Sequence, residues 1–74
     1  MKLDRIIINS KILNGKPVFK GTRIPIYVVL DLIAEGLTDK EILDLYPDLT
    51  KEDIKQSIMY ASYIIQNEEI YEIA

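Results

Sequence analysis

The sequence predicts an α+β protein, mainly α, with short strands first and three helices after them. Three observations carry that reading. Arg5-Ile6-Ile7-Ile8 and Val18-Phe19 are short β-branched or aromatic runs set off by turn residues. From Ile26 onward, apolar residues recur every three or four positions. Thr38 and Thr50 each stand three residues ahead of an acid, Glu41 and Asp53, which is the signature of a helix start.

The elements follow in order. Asn9-Ser10 ends the first run, and Asn14-Gly15 is a strong short-range turn signal. Lys16 precedes Pro17 and is biased to extended backbone. Val18-Phe19, Lys20-Gly21-Thr22 and Arg23-Ile24 then read as a very short hairpin, with Gly15 and Gly21 as turn residues and Gly21 supplying positive φ. Pro17 and Pro25 mark these strands as edges. Pro25 suits the first turn of a helix running to about Glu35, with Ile26, Val29, Leu30, Ile33 and Ala34 as its apolar stripe. Gly36 caps it. Thr38 starts a second helix that buries Ile42, Leu43, Leu45 and Tyr46 and stops at Pro47. Thr50 starts a third, extending to about Asn67, with Ile54, Ile58, Ala61 and Ile65 as its stripe and Tyr60 and Tyr63 at its margin. Residues 68–74 form an apolar tail that could prolong the third helix or pair as a strand with Ile6-Ile7-Ile8, and it is read as a strand or irregular segment.

One domain is expected from 74 residues, divided as a basic β/turn segment (1–24), three helices (25–67) and the tail. At 49% hydrophobic the chain is too apolar for disorder. Cys and His are both absent, which excludes disulfides, thiolate or imidazole metal sites and the Ser–His–acid and Cys–His forms of nucleophilic catalysis. No phosphate-cradling glycine motif is present, and the acids scatter along helix faces rather than converging. No enzymatic activity, cofactor or metal is therefore expected. No apolar run approaches a membrane span, and Met1–Arg5 lacks the pattern of a signal peptide, so a soluble cytoplasmic protein is expected.

Charge is distributed unevenly. Residues 1–25 hold six cations against one acid, a net +5, while residues 26–74 hold three cations against eleven acids, a net −8. The stretch Asn14 to Pro25 gathers Lys16, Lys20 and Arg23 among two glycines and two prolines, so the positive charge sits on shaped turns. Lys16, Lys20, Thr22 and Arg23 are the candidate contacts for a partner protein or nucleic acid. Thr22 is also expected to bond turn backbone. The planar fork of Arg23 suits a carboxylate or phosphate. The alternative is that it pairs with an acid of its own helices, such as Asp48 or Glu52, and fastens the hairpin.

Residues 15–26, Gly-Lys-Pro-Val-Phe-Lys-Gly-Thr-Arg-Ile-Pro-Ile, carry a specific pattern. With Gly36-Leu37-Thr38, Glu41-Ile42, Tyr46-Pro47-Asp48-Leu49-Thr50, Glu52-Asp53-Ile54 and Tyr60-Ala61, they make the chain resemble the domain of unknown function 433 family, small prokaryotic proteins, from about residue 7 to residue 61. Phe19 and Lys20 depart from it, standing where aliphatic and arginine residues are often found. The resemblance implies a homeodomain-like, helix-turn-helix-related bundle behind a small β element. Many members resemble type II antitoxins encoded beside a PIN-like ribonuclease toxin. The implied function is an antitoxin-like binding module whose partner is a cognate PIN-like toxin. A homodimer is also expected, since the core is small and the tail apolar. Operator DNA is the expected partner in the alternative reading, an autoregulatory repressor, although the third helix opens with two acids, Glu52 and Asp53, and the pI is near 4.8. A structural adaptor whose partner is itself is the remaining alternative.

Overall fold

A computed structural model describes residues 3–67. Strand β1 (Ile6–Ile7) pairs antiparallel with β2 (Val18–Phe19), placing Ile6 opposite Phe19 and Ile7 opposite Val18. Helices α1 (Ile26–Ala34), α2 (Asp39–Leu45) and α3 (Lys51–Gln66) follow. The hairpin expected between Val18-Phe19 and Arg23-Ile24 forms only in part. The main ladder of β2 is with β1, and the returning segment contributes one bridge, Val18 to Pro25, and the Phe19 N–H donating to Ile24 O at 3.1 Å. Pro25 explains the short return: it has no N–H to extend a ladder and stands as the residue before α1. No described helix is long and apolar enough to cross a membrane.

The core sits where the strands meet the helices. Phe19, Ile26, Val29, Ile42, Leu49 and Ile54 form one buried cluster, flanked by Ile6, Ile24, Leu32, Ile33, Leu37, Leu43, Tyr46 and Tyr60. β2 is short, yet both its residues are buried, because β1 lies beside it and α1 leaves directly from the segment after it. Between α1 and α2, Gly36 at φ +93° turns the chain. Its N–H donates to Ile33 O, and the Leu37 N–H reaches back to Leu32 O at 3.1 Å, which satisfies the last carbonyls of α1. Both expected capping boxes form: Thr38 with Glu41 and Thr50 with Asp53 exchange side-chain-to-backbone bonds in each direction.

Three stripes differ from expectation. On α2, Ile42 is buried but Leu45 is 59% exposed, because a seven-residue helix turns only Ile42 and its neighbour Leu43 toward the core. Ala34 at the end of α1 is likewise exposed. On α3, Ile54 is buried, whereas Ile58 is 49% and Ile65 67% exposed. The buried face of α3 is instead Asp53, Ile54, Gln56 and Ser57, with Tyr60 and Ala61 half-buried. Periodicity located the helix but not its angle, because polar residues occupy the inward face. The expectation for the tail, residues 68–74, lies outside the described residues.

Leu13, Asn14 and Gly15 all adopt positive φ, at +48°, +57° and +82°. Asn14-Gly15 makes the expected turn, and the left-handed Leu13 beside it costs a non-glycine residue roughly 1–2 kcal/mol.

Candidate partner-binding surface

The turn after β2 is held by a closed set of bonds. The Thr22 N–H and Oγ1 both donate to Phe19 O, at 3.0 and 2.8 Å, and Thr22 Oγ1 in turn accepts from the Ile24 N–H at 3.0 Å. Thr22 thus serves the turn backbone. Gly21 sits at φ +78°, and an added Cβ there would meet nothing within 4 Å. Its glycine answers the backbone conformation rather than crowding. The Lys20 N–H donates to Arg5 O at 2.8 Å, tying the turn to the residue before β1. Lys20 and Arg23 therefore stand exposed on a turn whose base is the buried pair Val18 and Phe19. Among the described residues, neither side chain takes part in an ion pair or a hydrogen bond.

Lys16 does not join them. Strand β2 lies between, and the Lys16 ammonium rests 5.1 Å from the Tyr27 ring centroid, within cation–π range. It rims a different feature, an open apolar groove of about 310 Å³ between α1 and the second half of α3. The four candidate contacts thus divide: Lys20 and Arg23 on the turn, Thr22 inside it, Lys16 at the groove.

The expected fastening of Arg23 to Asp48 or Glu52 is not made. Arg5 does that work instead. Its Nε donates to Asp53 Oδ1 at 2.7 Å and its Nη2 to Oδ2 at 3.4 Å. Asp53 is wholly buried and also accepts the Thr50 N–H at 2.9 Å. The Arg5 N–H donates to Gln56 Oε1, and Gln56 Nε2 donates to Asp4 Oδ1, both at 2.8 Å. Burial works against the Asp53 charge, but the bond from Arg5, the bonds from Thr50 and the guanidinium's charge together hold its carboxyl below the usual carboxylate range. The Arg5 guanidinium is held protonated more firmly than usual by the hydrogen bond and charge of Asp53. In the sequence, Asp53 signals only the start of a helix three residues after Thr50. Nothing in local spacing links it to Arg5, 48 residues away.

This arrangement removes one of the two acids at the start of α3 from solvent. Asp53 faces inward and is neutralised, leaving Glu52 exposed beside Lys51 and Lys55. Among the described residues, no group of three or more His, Cys, Asp or Glu could hold a metal ion.

A two-stranded β element with its basic turn, backed by three helices, is thus the framework of a small α+β protein with two distinct exposed surfaces. The chain belongs to the DUF433 family, proteins of unknown function, whose model matches residues 6–61. It is 40% identical over 59 residues to the uncharacterised protein y4eO of Sinorhizobium fredii, a match covering 77% of this chain but 27% of that protein. An uncharacterised protein of Archaeoglobus fulgidus is 54% identical over 24 residues, covering 32% of this chain and 67% of its own length. The crystal structure of a DUF433 member protein from Anabaena variabilis superposes with a TM-score of 0.76 at 33% identity, over 86% of this chain and 60% of that one. The chain thus spans about a quarter of the length of the Sinorhizobium protein and about three fifths of the Anabaena chain.

Proposed function

We propose that this protein is a non-catalytic, antitoxin-like binding module that uses the turn bearing Lys20 and Arg23 to dock onto an acidic protein surface. The observation that carries this is the pair of exposed cations, unpaired among the described residues, on a turn fixed by Thr22, Phe19 and Ile24. Because the turn is already ordered, little conformational entropy is lost when it binds. Arg23 presents a planar fork suited to a carboxylate, and Lys20 adds a mobile charge beside it. With the family resemblance, the fitting partner is a PIN-like ribonuclease toxin, whose metal-binding acids the two cations would cover, blocking metal or RNA.

The test is co-expression with the product of the neighbouring gene, tagging only that product. Stoichiometric co-purification with rescue of growth supports the reading, and Lys20→Glu with Arg23→Glu should then abolish both. Undiminished rescue by the doubly reversed chain overturns it.

One observation favours keeping operator DNA as the second reading. With Asp53 turned inward onto Arg5, the exposed first turns of α3 carry Lys51 and Lys55 against Glu52 alone. Salt-sensitive retention on the gene's own promoter, lost on Lys51→Glu with Lys55→Glu, distinguishes this role.

A further inference from the structure

The second half of α3 has no partner among the described residues equal to its apolar content. The helix has 16 residues, so it is about 24 Å long. All its buried residues lie between Asp53 and Ser57. Beyond them Ile58, Tyr63, Ile64 and Ile65 are exposed, and Tyr27 of α1 is exposed close by. The apolar groove described above runs alongside, floored by Ile26, Leu30 and Ala61 and bordered by Ile64 and Ile65. A ridge and a groove thus share one face.

We propose that this face is the two-fold interface with a second copy of the chain, the Ile64–Ile65 ridge of each copy seated in the groove of the other. Three features select a second copy over other occupants. The first is self-complementarity: an isologous contact needs a knob and its hole on the same patch, and both are present. The second is charge. The chain carries −3, yet residues 56–67 contain no charged side chain. Lys16 is the one charged residue lining the groove, so two negatively charged copies approach there with no acid facing an acid. The third is the small core. The buried cluster has six side chains, and domains of this size commonly draw further burial from association. Ala61, one turn before Ile65 on the groove floor, leaves room for close helix approach.

The proposal does not depend on the toxin reading, which rests on the opposite side of β2. The chain has no cysteine, so Ala61→Cys can form a disulfide only with its twin. Under mild oxidation it should yield a covalent dimer, while Lys20→Cys should not. In sedimentation equilibrium the full wild-type chain should dimerise, and Ile65→Lys should weaken the dimer on the order of 100-fold or more, since the change enters the interface twice. Helix content should stay unchanged, because Ile65 is 67% exposed in the single chain. A wild-type chain that stays monomeric, or an Ile65→Lys dimer as tight as wild type, overturns the proposal and gives the groove to residues 68–74 or to another protein.

Discussion

Replacing Asp53 by Asn tests the idea that a buried ion pair joins the β element to α3. The substitution keeps the shape and leaves an oxygen to accept the Thr50 N–H, but removes the charge facing Arg5. A hydrogen bond to a charged group contributes about 1.5–3 kcal/mol. The Arg5 side chain is 33% exposed, so solvent screens the pair and the lower half of that range applies, about 1.5–2 kcal/mol. Against the ~3–5 kcal/mol that a single small core supplies, this is a large fraction. At about 4–8 °C per kcal/mol for a domain of this size, Tm should fall by about 6–16 °C. Asp53→Ala also removes the cap acceptor, adding about 1 kcal/mol. The pH dependence gives a second, independent readout. The folded-state pKa of Asp53 is depressed, so its contribution is full above the ordinary value of 3.8 and is lost as pH falls through the lower folded value. Wild type and Asp53→Asn should therefore differ most near neutrality and converge in acid. Urea melts followed by far-UV circular dichroism at both pH values measure this. A neutral-pH difference under about 0.5 kcal/mol, or one that persists unchanged in acid, would refute the reasoning.

The other substitutions probe backbone and packing. Gly36→Ala places a Cβ at φ +93° and should cost about 1 kcal/mol, read as a lower urea midpoint at unchanged slope. Leu13→Gly should do the reverse and stabilise, by up to about 1 kcal/mol, because it relieves a left-handed leucine. Ile42→Ala should cost about 2–5 kcal/mol and leave the chain largely unfolded at 37 °C, since Ile42 is fully buried. Leu45→Ser, three residues on, should lie within about 0.5 kcal/mol of wild type in thermal melts.

Much of the frame is legible in the sequence because its signals are local. The two capping boxes and the Gly36 stop need only neighbouring residues, and all three stand where the pattern places them, while Pro25 stands one residue ahead of α1 rather than in its first turn. The helix faces are less legible. Ile58 and Ile65 continue the stripe of Ile54 in sequence, yet the helix turns Gln56 and Ser57 inward, since Gln56 bonds to Asp4 and to the Arg5 backbone and Ser57 Oγ donates to Ile54 O. Apolar periodicity cannot register polar side chains whose partners lie elsewhere in the chain. The candidate surface shows the same division. The Lys20–Arg23 turn could be read because glycine and threonine specify it. The separation of Lys16, and the choice of Arg5 rather than Arg23 as the fastening cation, depend on which strand β2 pairs with and on where α3 returns.

The pairing of Arg5 with Asp53 also orders events when the chain is made. Residue 5 precedes residue 53 in synthesis, and until α3 has left the ribosome β1 lacks the Arg5–Asp53 bond that secures it. Closing so long a loop carries an entropic cost that the early residues cannot offset alone. The bonds of the turn itself are local to residues 19–24, whereas the seating of β1 on α3 waits until α3 has emerged and docked. A chain truncated before Asp53 keeps the whole sequence of the β element and its turn but lacks the helix on which β1 rests.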